Sequence, residues 1–119
     1  MSLHTLNIRL DFPYRTGFTH GAFRPENDAL VSLMEQRPGS RVLVLLEKGL
    51  EQFYPQLPAD IDRYFEKNAG VLAYAGCRSV PGGEEAKTGF SAWETALRHI
   101  VEAGIDRHSY IIAVGGGAF

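Results

Sequence analysis

Cysteine, net charge and long apolar runs are all scarce in this sequence, and each scarcity excludes a class of protein. The 119 residues contain one cysteine, Cys77, which excludes an internal disulfide framework. Twelve Lys and Arg residues against 14 Asp and Glu residues give a net charge of -2, so no basic surface for nucleic acid or an anionic membrane is expected. We find no apolar run of transmembrane length and no signal peptide, and therefore expect a cytoplasmic protein without a membrane partner.

The composition is that of one ordinary globular domain. Hydrophobic residues make up 45% of the chain and charged residues 22%. A chain of 119 residues is long enough to bury one core. We therefore expect a single domain over residues 1–119.

The first 23 residues predict an antiparallel hairpin. Leu6, Ile8 and Leu10 alternate with polar residues, as in a half-buried strand. Pro13 interrupts this strand, and residues 14–23 can return beside it at a sheet edge. Such an edge strand can also pair between copies, so a homodimer is one expected partner arrangement.

The rest of the chain alternates strands with helices. The continuous apolar run over 42–46 predicts a strand buried on both faces, and further strands are predicted over 71–76 and 110–114. Helices are predicted near 28–37, 50–54, 58–69 and 91–103. In the last helix Ser91 and Glu94 match a capping box, and Gly104 ends it. We predict an α/β fold: a Rossmann-like, open, mostly parallel sheet with an N-terminal antiparallel hairpin.

Three polar or glycine-rich segments follow the buried strands, at 47–49, 81–87 and 115–119. In open α/β sheets ligands bind at the carboxyl ends of the strands, so these segments should converge on one site. Glycines 115 to 117 allow a phosphate to approach the backbone, although they can equally form only a tight turn, and no GxGxxG pattern is present. Glu47 can accept hydrogen bonds from a ribose diol, or can be a solvated loop carboxylate.

Glu84 and Lys87 form a second polar pair in the middle segment. One helical turn would place them on one face, where a carboxylate can bind a hydroxyl and an ammonium can bind a phosphate. The alternative is an exposed ion pair that contributes only a few tenths of a kcal/mol.

No catalytic residue and no metal ligand is predicted in this chain. Metal sites need several convergent ligands, which the histidines at 4, 20, 99 and 108 do not supply. We interpret Cys77 as a small buried hydrophobe, and no serine or cysteine nucleophile arrangement is present.

The segment "VPGGEEAKTGFSAWETALRHIVEAGIDRHSYIIAVGGGAF" resembles the N-terminal domain of 3-dehydroquinate synthase and its sugar-phosphate-cyclase relatives. That family carries a P-x-G-E-x-x-K loop, which is matched by Pro81, Gly83, Glu84 and Lys87. Its later R-x-x-x-I-A-x-G-G-G motif is broadly matched by Arg107, Ile111, Ala113, Gly115, Gly116 and Gly117. The resemblance is looser over 41–76 and weak before that. It looks most like a divergent, synthase-like branch.

The resemblance implies that this domain binds NAD. Glu84 and Lys87 would contact the adenosine ribose region, and Glu47 stands where the family usually has an aspartate on a ribose. The remaining cofactor-binding positions would be Gly83 and, along the pyrophosphate, Gly115, Gly116, Gly117 and Ala118.

The resemblance also implies a chemistry for the parent enzyme. The family are carbon–oxygen lyases that convert a seven-carbon sugar phosphate into a carbocycle with elimination of phosphate. They use NAD and a divalent metal, zinc or cobalt, held in a helical C-terminal domain. We expect residues 1–119 to be only the front domain, without that metal-binding domain, and to be inactive alone.

Three alternatives remain open at this stage. An iron-dependent alcohol or glycerol dehydrogenase shares this architecture, although the Glu84-x-x-Lys87 spacing is typical of the cyclases. The chain could also be a non-catalytic nucleotide-binding module. An isolated flavodoxin-like domain would give Glu84 and Lys87 no particular role.

Overall fold

A three-stranded parallel sheet with helices on both faces forms the folded part of the chain. The computed structural model describes residues 1–34, 40–82 and 90–116. The strands lie in the order β2-β1-β3, and both pairings are parallel. The predicted α/β class and parallel sheet are therefore confirmed. In chain order the elements are α1 (Ala29–Ser32), β1 (Arg41–Glu47), α2 (Lys48–Phe53), α3 (Leu57–Lys67), β2 (Ala73–Val80), α4 (Ser91–Glu102) and β3 (Tyr110–Val114).

Strand β1 is the centre of the sheet and of the core. Its residues 42–46 are at most 6% exposed, because both faces are covered and both edges are paired. The even-numbered side chains of this run face one core cluster and the odd-numbered ones face the other. The strand buried on both faces, predicted from the unbroken apolar run, is confirmed.

Helix α3 covers one face of the sheet. Ile61, Tyr64 and Phe65 recur at helical spacing and are at most 1% exposed. The ring of Phe65 stacks on Tyr74 of β2 at a centroid distance of 5.1 Å, and Phe23 meets Tyr64 edge-on at 5.8 Å. Aromatic pairs in these geometries stabilise the fold by more than the burial of their surface area alone. The helix predicted near 58–69 is confirmed, with its bounds at Leu57 and Lys67.

Helix α4 covers the other face, with small side chains toward the sheet. Ala92 is 8% exposed and packs with Leu43 and Leu45. The larger Trp93 and Val101 are 64% and 73% exposed. Ala96, Ile100 and Ala103 pack against the same cluster, whereas Trp93 and Val101 lie on a second stripe that is left exposed.

The N-terminus of α4 differs from its prediction, and the C-terminus agrees with it. The capping box is wrong: Phe90 is the N-cap and makes no side-chain capping hydrogen bond, and Ser91 lies inside the helix. Gly104 follows the helix with φ +66°, a left-handed conformation that favours glycine, as predicted. The Arg41 guanidinium donates to the carbonyl oxygens of Ala103 and Gly104 at 3.0 and 3.3 Å, which satisfies carbonyls at the helix end.

Strand β2 is longer than the sequence predicted. It continues to Val80, which pairs with Glu47, whereas residues 79 and 80 were expected to lie in a loop. Its register with β1 shifts once, beside Gly76, whose φ is +115°. The irregularity is of the kind that a glycine in a left-handed conformation permits.

The N-terminal hairpin is not confirmed. Residues 1–18, called here the N-terminal arm, contain no helix and no strand. Leu6, Ile8 and Leu10 are 72–82% exposed. A two-stranded ribbon has one apolar face that needs a further layer to cover it, and no described element of this chain buries Leu6, Ile8 and Leu10.

The connections on the two sides of β1 run over opposite faces. The chain passes from β1 to β2 through α3, and then from β2 across β1 to β3 through α4. The direction of winding therefore reverses between β1 and β3. In open α/β sheets such a reversal is a topological switch point, where a crevice opens at the carboxyl ends of the strands. Among the helices that the structure describes, none is both long and apolar enough to cross a membrane.

Candidate nucleotide-binding edge

The carboxyl ends of β1 and β3 lie side by side at this switch point. Leu46 pairs with Val114, so Glu47 and Gly115 leave the sheet next to each other. Side chains alternate along a strand, which places Glu47 on the α4 face, above Leu45. Its backbone is still extended before α2 begins. The strand end therefore holds the carboxylate at the mouth of the crevice.

One carboxylate oxygen of Glu47 is held by the glycine turn. The backbone N–H of Gly116 donates to Oε2 at 2.8 Å. A hydrogen bond from an amide to a carboxylate is charge-assisted and stronger than a neutral one. The second oxygen, Oε1, accepts no hydrogen bond from any residue that the structure describes, so it can receive a donor from a ligand.

Gly82 makes room for this carboxylate. A Cβ at position 82 would overlap the Cγ of Glu47 and would lie 2.6 Å from Oε1. A Cβ at Gly116 would stand 3.8 Å from Oε2, and one at Gly49 would stand 4.0 Å from Oε1, which are ordinary contacts. Segments from all three strand ends thus meet around Glu47. Of these three glycines, only Gly82 leaves no room for a Cβ while Glu47 keeps its position.

The structure brings together part of the predicted site. Glu47, Gly115 and Gly116 lie at one edge, as their positions after β1 and β3 predicted. Five predicted cofactor-binding residues lie outside the described residues and stay predictions: Gly83, Glu84, Lys87, Gly117 and Ala118.

Gly82 belongs to the segment 81–87 that the sequence predicts at this edge, but it was not among the predicted cofactor-binding residues. The signal for it was present, because it follows the strand that pairs with the end of β1. Val80 lies opposite Glu47, and the chain reaches Gly82 two residues later. A glycine at that distance from an acidic strand end indicates a carboxylate packed against backbone.

A second row of polar groups runs along the α3 face of β2. The hydroxyl of Tyr74 donates to Asp62 Oδ1 at 2.6 Å, and Ser79 donates to Glu51. Burial and the carboxylates of Asp62 and Glu51 together raise the pKa of Cys77 to about 11. A thiol with that pKa stays protonated near neutral pH and is not an activated nucleophile.

The described residues do not fit a metal ion. Within 1–34, 40–82 and 90–116, no group of three or more His, Cys, Asp or Glu side chains lies close enough to hold one. We therefore derive no metal-dependent step for this chain.

An apolar hollow between α2 and α3 is separate from the strand ends. Its volume is about 510 Å³, and Leu50, Phe53, Tyr54 and Leu57 line most of it. Neither Glu47 nor the glycines around it contribute to this hollow. Because it offers few polar groups to orient a ligand, we place the candidate site at the strand ends, where a carboxylate with a free acceptor and backbone without side chains coincide.

Comparison of the chain with family models, with curated proteins and with solved structures finds no match. The α/β fold therefore stands on the structure alone. The resemblance of residues 80–119 to the sugar-phosphate cyclases stays a proposal.

Proposed function

We propose that this chain binds NAD at the carboxyl edge of its sheet, as the front domain of a 3-dehydroquinate-synthase-like enzyme. The observation that carries the proposal is the carboxylate of Glu47, set in the switch-point crevice against two glycines with Oε1 open. An acidic side chain at a strand end is the group that dinucleotide-binding folds use for a ribose diol.

The residues at this edge fit the cofactor by shape and by hydrogen bonding. Oε1 of Glu47 can accept a ribose hydroxyl, and the turn at Gly115 and Gly116 lets a pyrophosphate approach the backbone. Lys87 would supply a cation for a phosphate, and Glu84 a second acceptor for a hydroxyl. These last two contacts rest on the sequence resemblance.

Binding at this edge requires an exchange of partners at Gly116. Its N–H is donated to Glu47, so a pyrophosphate and this carboxylate would compete for one amide. In the proposed complex Glu47 gives up the amide and takes a ribose hydroxyl, and the freed N–H turns to the pyrophosphate. The exchange replaces the hydrogen bond from Gly116 to Glu47 with two hydrogen bonds to the ligand, and because both ligand groups leave hydrogen bonds to water, the net gain is small.

The proposed parent reaction converts a seven-carbon sugar phosphate into a carbocycle with loss of phosphate. Bound NAD supplies the transient oxidation of a substrate hydroxyl. The part of this chain is to bind and orient the cofactor. A divalent metal, zinc or cobalt, would belong to a domain outside these residues, and residues 1–119 alone are expected to show no turnover.

Calorimetric titration of NAD into the 119-residue chain tests the proposal. Glu47→Gln keeps the size of the side chain but removes its charge, and should weaken NAD binding roughly 5- to 30-fold, about 1–2 kcal/mol. Lys87→Ala should weaken NAD and ADP-ribose alike, because both carry the pyrophosphate. The matched control is Glu66→Gln, an equal loss of charge on the exposed surface of α3.

The outcomes separate the proposed function from its rivals. Binding that is lost in both site variants and kept in the control supports the cyclase-type nucleotide site. Binding that depends on Glu47 but not on Glu84 or Lys87 favours a dehydrogenase-type or generic nucleotide module. If NAD, ADP-ribose and NADH all fail to bind, the nucleotide proposal is wrong and only the fold remains.

A further inference from the structure

A second hollow adjoins the apolar hollow between α2 and α3. Its volume is about 420 Å³, and the loop 21–25 lines it together with Leu57, Asp60 and Arg63 of α3. Leu57 and Asp60 line the apolar hollow as well, so the two spaces meet along α3. The second space is called here the arginine hollow, because Arg24 and Arg63 both line it. Clefts of this size hold small organic ligands.

The loop that carries Arg24 is braced at several points. Phe23 packs edge-on against Tyr64 in the core, at a centroid distance of 5.8 Å. The side-chain amide of Asn27 donates to two carbonyl oxygens at the start of the loop, at 3.0 and 3.2 Å. The ammonium of Lys67 on α3 donates to a third loop carbonyl at 2.5 Å. A loop held in this way is preorganised, so a ligand that binds to it has little further ordering to impose.

Gly21 determines where the side chain of Arg24 lies. Its φ is +60°, a left-handed conformation that favours glycine. A Cβ at this position would stand 2.6 Å from both Cδ and Nε of Arg24, so the arginine stem lies directly over the glycine backbone. Within residues 1–34, 40–82 and 90–116, the guanidinium of Arg24 has no hydrogen-bond or ion-pair partner. Its N–H donors are therefore available to a ligand in the arginine hollow.

The charges that line the arginine hollow favour a monoanion. Asp60 accepts a hydrogen bond from Nη1 of Arg63 at 3.3 Å. The Asp60 and Arg63 side chains are 46% and 64% exposed, and an exposed pair of this kind is weak, so Arg63 can turn to a ligand at little cost. Two guanidinium groups and one carboxylate leave one net positive charge. A carboxylate balances that charge, and its two oxygens match the fork of an arginine.

The apolar hollow offers a surface for the rest of such a ligand. Phe53 and Tyr54 line it with their ring centroids 5.6 Å apart, and they are 80% and 57% exposed. Exposed ring faces beside Leu50 and Leu57 favour a planar aromatic group. The rise along α3 from Leu57 to Arg63 is about 9 Å, which a fused two-ring group with one carboxylate can span.

We propose that the two hollows together bind a small aromatic carboxylate. Its ring lies on Phe53 and Tyr54, and its carboxylate is held by Arg24 and Arg63. Neither Glu47 nor the glycines around it line either hollow. The inference therefore does not rest on the proposed nucleotide site, and either can fail without the other.

Titration of 2-naphthoate into the isotope-labelled 119-residue chain, followed by amide shifts in NMR, tests the proposal. The shifts should saturate with a Kd below about 1 mM, as expected for a ligand of this size at ordinary efficiency. They should be largest at the amides of Arg24, Leu57 and Asp60, and the Gly116 amide should not move. R24A and R63A should each raise the Kd roughly 5- to 30-fold, because each removes a charge-assisted hydrogen bond.

The protein controls separate the position of Arg24 from its charge. R98A removes an exposed guanidinium from α4, on the other face of the sheet, and should leave the Kd unchanged. G21A keeps every charge but displaces the Arg24 side chain, and should raise the Kd about as much as R24A. Circular dichroism checks that each variant folds. R24K provides the same test without strain in the loop, because lysine keeps the charge and loses the planar fork, and it should also weaken binding.

The ligand controls test whether both hollows are needed. Naphthalene-2-methanol lacks the charge and acetate lacks the ring, so each should bind more weakly than 2-naphthoate by roughly 10-fold or more.

Three results would overturn the proposal. One is a set of 2-naphthoate shifts that does not saturate, or that maps to the nucleotide-binding edge or to the exposed stripe of α4. Another is a Kd for R24A and R63A that equals the Kd for R98A. The third is equal affinity for 2-naphthoate and naphthalene-2-methanol, which would indicate an apolar surface without an anion site.

Discussion

Replacing Gly82 with alanine tests the position of Glu47 directly. The added methyl group would overlap the Cγ of Glu47 and stand 2.6 Å from its Oε1, where an ordinary contact needs at least 3.4 Å. Gly82 is not in a left-handed conformation, so alanine is not excluded by the backbone. The strain must therefore be relieved by the side chain. We expect Glu47 to rotate away and to release the N–H of Gly116.

The expected energies distinguish stability from binding. Losing one half-exposed, charge-assisted hydrogen bond should lower the free energy of unfolding by about 0.5–1.5 kcal/mol. Alanine restricts the unfolded chain more than glycine does, and this effect should raise the free energy of unfolding by about 0.4–1 kcal/mol. The net change in stability should stay below about 1 kcal/mol. NAD affinity should fall roughly 5- to 30-fold, because the proposed ribose acceptor is displaced.

Urea denaturation, NAD calorimetry and the amide proton shift of Gly116 by NMR together measure these effects. The shift should move upfield in G82A as the hydrogen bond to Glu47 is lost. The control is G70A, where a Cβ meets no atom within 4 Å. G70A should leave the Gly116 shift and the NAD affinity unchanged, and should raise the free energy of unfolding by up to about 1 kcal/mol. An unchanged Gly116 shift in G82A would refute the packing of Glu47 between Gly82 and Gly116.

Two further predictions concern the α3 face of the sheet. Ile61→Ala should destabilise the chain by about 2–5 kcal/mol in urea denaturation, because Ile61 is fully buried against β1 and its removal leaves a cavity. The pKa of Cys77, raised from 9.0 to about 11, should make iodoacetamide alkylation of the folded chain at pH 8 about 10- to 100-fold slower than that of the unfolded chain. The thiol of the unfolded chain loses its proton at a lower pH than that of the folded chain. The free energy of unfolding should therefore fall as pH rises from about 9 to about 11.

Each of these has a control within the chain. Leu97→Ala on α4 removes a side chain that is 43% exposed and should cost much less than Ile61→Ala. Equal losses would mean that α3 is not packed as described. For Cys77, the Asp62→Asn variant removes one of the carboxylates that raise its pKa, and should speed alkylation. Equally fast alkylation of folded and unfolded wild type would contradict the burial of this thiol.

The parts of the fold that the sequence predicted well are those with a single periodic signal. The apolar run over 42–46 has no alternation, and only a strand covered on both faces explains it. In α3, Ile61, Tyr64 and Phe65 leave one possible inward face. The convergence of the strand ends followed from topology alone, and the contact between Glu47 and Gly116 agrees with it.

The hairpin prediction failed because its segment has no further layer to pack against, and the buried face of α4 could not be predicted because that helix carries two apolar stripes. Helix α4 carries a large apolar stripe and an alanine stripe, and periodicity does not say which one faces the sheet. The alanines face it, together with Ile100. The alternation in the arm is genuine, but alternation specifies a strand only when another layer covers it. The close approach of Gly82 to Glu47 was not predicted, because topology brings their two segments together without saying which glycine meets the carboxylate.

The central position of β1 has a consequence for measuring the stability of this chain. Hydrogen-bonded on both edges and covered on both faces, its amides can reach solvent only when the whole sheet comes apart. Their hydrogen exchange should therefore be the slowest in the molecule and should report the global free energy of unfolding. A spectroscopic signal averaged over all residues includes the N-terminal arm, whose apolar side chains are exposed in the folded chain. Exchange of the Val44 amide, in contrast, reports only global unfolding.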